Sequence, residues 1–142
     1  MMGSLFLNRK AVNDVTQKYV DSFRTKVTGH DQLAGSLSGG NQQKIVIGRS
    51  LSTTPKIVIL DEPTRGIDAA ARGDVYSIIH QLREEGVSIL LISSDMEEIM
   101  ELADRAVTMY QGRINAEFRN DDINQDILMA ASFGILEGGA DA

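Results

Sequence analysis

Two short motifs at a fixed separation are the residues of this chain best suited to chemistry. Ser38-Gly39-Gly40 would begin a helix, and Asp61-Glu62 would end an apolar strand, with Asp61 23 positions after Ser38. A helix N-terminus presents unpaired N–H groups and a partial positive charge, and glycine lets an anion approach the backbone closely. The first motif therefore suits the binding of a phosphate group.

The second motif suits a metal ion and a water molecule that attacks phosphate. Open α/β folds bind ligands at the carboxyl ends of their parallel strands, which is where Asp61 and Glu62 would lie. Asp61 suits Mg²⁺, and Glu62 suits a general base. Alone, each motif also has an ordinary explanation, namely a helix cap for Ser38 and a solvated strand end for the two carboxylates.

Length and composition predict a globular chain of about one domain. It has 142 residues, of which 42% are hydrophobic and 24% charged. The net charge of -6 argues against a protein that coats nucleic acid, and the absence of cysteine excludes disulfides and thiolate metal sites. The apolar runs are strand-sized, and residues 1–7 are too short and uncharged for a secretory signal. We therefore expect any membrane role to come through a partner subunit.

Hydrophobic spacing and turn residues predict alternating helices and strands. Strand, helix and strand follow one another at the spacing of a parallel βαβ unit, whose strands should be buried on both faces. Ser38 should cap the second helix, and Ser94 with Glu97 should form a capping box for the fourth. Gln111-Gly112 should turn a closing hairpin. The predicted helices are 9–26, 40–51, 69–85, 94–103 and 123–132. The predicted strands are 57–60, 88–92, 106–110 and 113–118. Residues 137–142 are predicted to be a frayed tail.

These motifs resemble the C-terminal part of an ATP-binding-cassette (ABC) ATPase over residues 10–134. Leu37–Gln42 resembles the signature motif of that family, and Ile57–Asp61 resembles its Walker B strand. Glu62 matches the position of the catalytic glutamate, and Asp68 matches the aspartate of the D-loop. Ser94 stands where the family usually has its switch histidine.

The resemblance implies an α/β fold, namely part of a P-loop NTPase with a mostly parallel sheet, flanking helices and a C-terminal antiparallel hairpin. Residues 1–36 would belong to the helical subdomain and its connection. Residues 37–134 would contain the signature helix, the Walker B core and the C-terminal part of the ATPase domain, and 135–142 would be a tail. No Gly-x-x-x-x-Gly-Lys-Ser/Thr loop occurs in the 142 residues, and we see no Q-loop. The resemblance places both upstream of residue 1, so we expect no ATP turnover by this polypeptide alone.

The resemblance also implies roles for individual residues. Two cassettes would pair head to tail around two ATP molecules, so the signature would contact the ATP of the partner cassette. Asp61 would bind Mg²⁺ and Glu62 would act on the chain's own ATP, while Asp68 would organise the interface. Ser94 would hold the catalytic switch position, although serine lacks the reach and charge of histidine and could simply cap a helix. The nucleotide contacts would come from Ser38, Gly39, Gly40, Asn41, Gln42 and Asp68.

Four segments of the sequence resemble, in finer detail, the second cassette of bacterial monosaccharide and autoinducer-2 importers. The matching segments are Gly39–Lys44, Asp61–Asp68, Ile92–Asp95 and Met129–Gly134. The partners would then be a second cassette, transmembrane permease subunits and, indirectly, a periplasmic solute-binding protein, and nucleic acid would not be among them. The chain would lie at the cytoplasmic face of the inner membrane. Two alternatives stay open: a non-transport ABC ATPase of DNA repair or translation, and a truncated, non-catalytic remnant of the cassette.

Overall fold

The computed structural model describes residues 8–119 and 122–135. Within these ranges the elements follow the predicted order, and no helix there is long and apolar enough to cross a membrane. The predicted tail, 137–142, lies outside the described residues. The elements are α1 (Arg9–Ser22), a 3₁₀ turn (Ala34–Ser36), α2 (Gly39–Leu51), β1 (Ile57–Asp61), α3 (Ala69–Glu84), β2 (Ser88–Ile92), α4 (Met96–Leu102), β3 (Arg105–Tyr110), β4 (Arg113–Arg119) and α5 (Gln125–Ser132).

The strands form two pairs, one parallel and one antiparallel, which confirms the predicted α/β class. β1 pairs with β2, and hydrogen bonds join the start of β1 to the start of β2 and the end of β1 to the end of β2, so the two strands are parallel. The Ser88 N–H donates to the Lys56 carbonyl at 2.9 Å, and the Glu62 N–H donates to the Ile92 carbonyl at 2.8 Å. β3 pairs antiparallel with β4 around Gln111-Gly112, as predicted. Both turn residues have positive φ, the geometry of a tight hairpin turn.

Contacts divide the chain into two compact units. The first unit comprises Met1–Val58 and Pro63–Leu90. Its core consists of apolar residues from the end of α1, from α2 and from α3, which are 4% exposed or less: Phe23, Ile47, Leu51, Val75, Ile78, Ile79 and Leu82. The apolar stripe predicted for α3 is therefore the part of that helix that builds this core.

The second unit comprises Ile59–Glu62 and Leu91–Ala142. In it α5 packs against α4 and against the hairpin of β3 and β4. The Asn115 side-chain amide donates to the Ala131 carbonyl at 2.8 Å and ties the end of α5 to β4. The buried apolar residues of this unit are Leu60, Leu102, Ala106, Ala116, Leu128 and Ala131.

The prediction that both parallel strands are buried on two faces is wrong for the described residues. Along β1, Val58 and Leu60 are buried, whereas Ile57 and Ile59 are 66% and 64% exposed. On β2, Leu90 and Ile92 are also exposed. A continuous apolar strand predicts cover on both sides, but the described residues cover β1 on one side only.

Several helix limits also differ from the predictions, and a local cap explains two of them. α1 ends at Ser22 rather than at 26, because Phe23 takes the C-cap position and Arg24 adopts a positive φ of 48°. α5 begins at Gln125 rather than at 123, because the Asn124 side chain accepts a hydrogen bond from the Ile127 N–H and caps the helix. In both cases a local capping residue decides the boundary.

A tight contact joins α2 to α3 inside the first unit. Gly40 lies against Ala71, and a Cβ atom placed on Gly40 would collide with the Cβ atom of Ala71. The Lys44 ammonium, only 4% exposed, donates to an Asp74 carboxylate oxygen at 2.6 Å. This contact sets the spacing and rotation of the two helices whose N-terminal ends carry the candidate site residues of this unit.

Candidate functional site

Ser38 stands at the N-cap position of α2, as predicted, but its side chain makes no capping hydrogen bond. Its hydroxyl instead accepts a hydrogen bond from the Asn41 side-chain amide at 2.9 Å. The Asn41 carbonyl oxygen in turn accepts from the Lys26 N–H at 3.1 Å. The first N–H groups of α2 thus have no side-chain cap, so they are available to an anion.

The two glycines of the signature segment have different surroundings. Gly39 is exposed, and an added Cβ would meet the Ile67 methyl group at an ordinary 3.5 Å. Gly40 is buried against Ala71 with no room for a side chain. Gly39 therefore keeps the backbone open to a ligand, whereas the absence of a side chain at Gly40 is required for helix packing.

Asp68 is the N-cap of α3, and its carboxylate accepts a hydrogen bond from the Ala71 N–H at 3.0 Å. Ala71 is the residue that packs on Gly40. The structure thereby brings the candidate signature residues and the candidate D-loop aspartate to adjacent helix ends. Gln42 supports this arrangement, since its side-chain amide donates to the Leu37 carbonyl at 2.8 Å.

Glu62 is the most constrained candidate residue of the second unit. Its backbone adopts a left-handed φ of 48°, which costs a non-glycine residue about 1 kcal/mol or more. Its N–H donates to the Ile92 carbonyl at 2.8 Å. One of its carboxylate oxygens, Oε1, accepts a hydrogen bond from the Ser94 N–H at 3.0 Å. The half-buried carboxylate is thus held at a fixed place beyond the end of β1.

Ser94 is not the cap of α4, so the predicted capping box is wrong by one residue. Asp95 is the N-cap, and its carboxylate accepts from the Glu97 N–H at 3.0 Å. Because Asp95 takes the cap, Ser94 stands just outside the helix and its N–H faces Glu62. Sequence reasoning missed Asp95, although aspartate is as good a cap as serine and Glu98 follows it at capping-box spacing.

Asp61 suits Mg²⁺, because this ion needs only one or two carboxylate ligands from the protein. It is exposed at the end of β1 and adjoins Glu62 in the chain. Among the described residues, no three His, Cys, Asp or Glu side chains come together as a metal site. Mg²⁺ usually takes one or two carboxylates and completes its octahedron with water and substrate phosphates, so a single exposed carboxylate is consistent with such a site.

The candidate residues therefore fall into two groups. In the first unit, the structure places Ser38, Gly39, Gly40, Asn41, Gln42 and Asp68 at the N-terminal ends of α2 and α3 or just before them. In the second unit, it places Asp61, Glu62 and Ser94 at the ends of β1 and β2. One group offers backbone N–H donors for an anion, and the other offers carboxylates for a cation and for a water molecule.

Comparisons with known proteins give a matching family and several similar structures. Residues 6–65, which include Ser38 and Glu62, match the family described as ABC transporter. The chain is similar to MJ1267, an ATP-binding cassette of an ABC transporter solved in its ADP conformation, with a TM-score of 0.75 and 26% identity over 89% of this chain. It is also similar to a nucleotide-free ATP-binding cassette from an ABC transporter, with a TM-score of 0.74 and 27% identity over 82% of this chain.

A third solved structure shares the fold alone. It is a dimeric, post-hydrolysis state of the ATP-binding cassette MJ0796 bound to ADP and Pi, with a TM-score of 0.70 and 19% identity over 82% of this chain. This chain spans 49%, 46% and 50% of the three solved chains, respectively. The chain therefore has the fold of about half of an ATP-binding cassette, and residues 6–65 match the ABC transporter family.

The surroundings of the two glycines predict different effects of the same substitution on the free energy of unfolding. Gly40→Ala should lower the free energy of unfolding by about 1–3 kcal/mol, because the new methyl group forces α2 away from α3. Gly39→Ala should leave it unchanged or slightly raised, because alanine is the better helix former and the space is open. Urea unfolding followed by circular dichroism measures both, and equal effects at the two positions would contradict the packing role of Gly40.

The hydrogen bond to Glu62 predicts a specific change in amide exchange. Glu62→Ala should speed hydrogen exchange at the Ser94 N–H by about tenfold, since that amide loses a charged acceptor. Asp61→Ala is the matched control and should leave the Ser94 amide unchanged. Two-dimensional NMR of the ¹⁵N-labelled chain gives the rates, and an unaffected Ser94 amide in the Glu62 variant would rule the contact out.

Proposed function

We propose that this chain is the part of an ABC ATPase cassette that carries the signature and the catalytic carboxylates, and that it couples ATP hydrolysis to solute import. The observation that carries the proposal is the constraint on Glu62. A carboxylate is held beyond an apolar strand by a strained backbone and by the Ser94 N–H. Storing strain to fix one carboxylate is typical of a functional site rather than of a solvated strand end.

In this proposal, Asp61 and Glu62 act on the ATP bound to the same cassette. Asp61 would be the protein ligand of Mg²⁺, which when bound neutralises charge on the phosphates. Glu62 would accept a proton from the attacking water or orient it, as a general base. The Ser94 N–H bond keeps the carboxylate in one position, so in this chain position 94 assists through its backbone rather than through a side chain.

The signature residues would act on a second ATP, held by a partner cassette. The uncapped N-terminus of α2 offers backbone N–H groups to a γ-phosphate, and the exposed Ser38 hydroxyl adds a donor. Asn41 would fix the orientation of that hydroxyl, and Asp68 would line the interface. The solved cassette MJ0796 is dimeric in its post-hydrolysis state, which supports the same assembly for this chain.

The solute is proposed to be a sugar or a sugar-like molecule. The support is the sequence of the four segments, Ile92–Asp95 among them, that resemble segments of monosaccharide and autoinducer-2 importers. A permease at the inner membrane would be the partner, a periplasmic binding protein would choose the solute, and the chain would lie at the cytoplasmic face. The 142 residues contain no Gly-Lys-Ser/Thr loop, so the chain by itself should be inactive.

The catalytic part of the proposal predicts activity only when a glycine-rich loop is supplied. The chain would be joined to the N-terminal half of a monosaccharide-importer cassette, so that the loop and Glu62 stand in one polypeptide. We expect this joined protein to release phosphate from Mg-ATP and Glu62→Gln to lower the rate by at least about 100-fold. The matched control, Glu84→Gln on α3, should keep the full rate, and the chain alone should release none.

Two results of that assay would overturn the catalytic proposal. One is phosphate release by the chain alone above the level of its own Glu62→Gln variant. The other is a joined protein that hydrolyses ATP equally well with glutamine at position 62. A joined protein that also fails to fold, as judged by circular dichroism, calls for the same test with the half-cassette of a different importer.

The transport part of the proposal predicts a permease partner. When the tagged chain is co-expressed with the permease subunits of a monosaccharide importer and extracted in detergent, the permease should co-purify with it. A tagged cassette from a lipid exporter serves as the control and should recover much less permease. If the permease does not co-purify although the joined protein hydrolyses ATP, the result would instead favour a non-transport ABC ATPase.

A further inference from the structure

The turn that follows β2 holds Glu62 at two points, one on either side of Ser93 in the sequence. The Ile92 carbonyl accepts a hydrogen bond from the Glu62 N–H at 2.8 Å. The Ser94 N–H donates to Glu62 Oε1 at 3.0 Å. The first contact fixes the backbone of Glu62 and the second fixes its carboxylate. The backbone conformation of the one residue between them, Ser93, therefore decides whether both contacts form together.

The cap of α4 constrains only the far side of this turn. The Asp95 carboxylate accepts a hydrogen bond from the Glu97 N–H at 3.0 Å, which anchors Asp95 to the helix. That bond does not involve the peptide unit between Ser93 and Ser94. Because this peptide unit carries the N–H that binds Glu62, a second constraint is needed to aim it.

The Ser93 hydroxyl supplies that second constraint. Its oxygen accepts a hydrogen bond from the Asp95 N–H at 3.0 Å, and the hydroxyl donates to the Asp95 carbonyl in a longer contact of 3.5 Å. A serine hydroxyl that binds the backbone two residues on closes a local turn. The closed turn contains the peptide unit between Ser93 and Ser94, so it fixes the direction of the Ser94 N–H.

We propose that Ser93 is a positioning residue for Glu62 and that it acts through the Ser94 N–H. The inference rests on the proposed function, since the orientation of Glu62 matters for turnover only if this carboxylate acts on the attacking water. Position 94 contacts Glu62 through its main chain, so the direction of that main chain is what residue 93 must control. Loss of the Ser93 hydroxyl should therefore free the carboxylate to leave its place beyond β1.

The proposal makes a specific demand on the side chain at position 93. Threonine keeps a hydroxyl on Cβ and can form the same bond to the Asp95 N–H, whereas valine has the shape of threonine without the hydroxyl. Comparing Ser93→Thr with Ser93→Val thus isolates the hydrogen bond from the effect of side-chain volume. Ser77→Ala is the matched control, because its hydroxyl donates to the Gly73 carbonyl at 2.9 Å on the exposed side of α3.

Amide exchange of the chain without nucleotide tests the contact itself. Ser93→Val should speed hydrogen exchange at the Ser94 N–H about fivefold relative to Ser93→Thr, the effect expected for the net loss of one hydrogen bond. Ser77→Ala should leave that amide at the wild-type rate. Amides of β3 and β4 report on unfolding of the whole unit and should not change. Equal rates at Ser94 in the threonine and valine variants would overturn the proposal.

A double-mutant cycle shows whether Ser93 acts through the contact with Glu62. In a Glu62→Ala background the Ser94 N–H has already lost its acceptor, so Ser93→Val should add little to its exchange rate. The same fivefold acceleration in both backgrounds would mean that the hydroxyl stiffens the turn without serving Glu62, which would also overturn the proposal.

Phosphate release by the joined protein described above tests the consequence for turnover. Ser93→Val should lower kcat at least about fivefold relative to Ser93→Thr and leave KM for Mg-ATP unchanged, because Ser93 is not among the proposed nucleotide contacts. Equal kcat values in an active joined protein would overturn this inference alone. A folded joined protein that releases no phosphate with serine at position 93 would instead overturn the proposed function, and the two failures are thus distinguishable.

Discussion

The approach of α2 to α3 is the constraint on which the first group of site residues depends. Gly40 and Ala71 let the helices touch, and the ion pair of Lys44 with Asp74 follows on the same faces about one turn later. A small–small contact sets the distance between the helices, and the ion pair sets their rotation. Since the candidate signature begins α2 and Asp68 begins α3, this single crossing determines where backbone N–H groups and a carboxylate meet.

The second unit positions its candidate catalytic carboxylate by a different means. Glu62 owes its place to a left-handed backbone and to two hydrogen bonds, one from its own N–H and one from the Ser94 N–H. Backbone groups thus fix the side chain, so its orientation does not depend on a neighbouring rotamer. This accounts for how serine can stand at position 94, because the contact seen in the structure uses only the main chain. The strain at Glu62 is a stability cost that the rest of the unit must offset.

The sequence was sufficient for the order of the elements, because the apolar periods of α3 and the parallel strands are long and bounded by clear turn residues. The hairpin also followed from local chemistry, since Gln111-Gly112 supplies a turn in which both residues take positive φ. The fold class could therefore be predicted from local sequence pattern, whereas the roles of the site residues rest on the resemblance and stay predictions.

Local pattern could not show which contacts form between residues that lie far apart in the sequence. Ser94 and Asp95 are both good caps, and only the contact with Glu62, 32 positions away, shows which one lies outside the helix. The role of Gly40 was hidden in the same way, because glycine at a helix start fits phosphate approach as well as packing on Ala71. The burial of β1 was overestimated. An apolar run indicates that both sides of a strand tend to be buried, but it does not show that the described residues pack against both sides.

The uncovered side of β1 bears on the fate of this chain in a living cell. Ile57 and Ile59 present apolar surface on a strand, which is the kind of feature that leads chains to aggregate and that chaperones and proteases act upon. The steady-state amount of the protein would then be governed by how soon another layer of polypeptide covers that side.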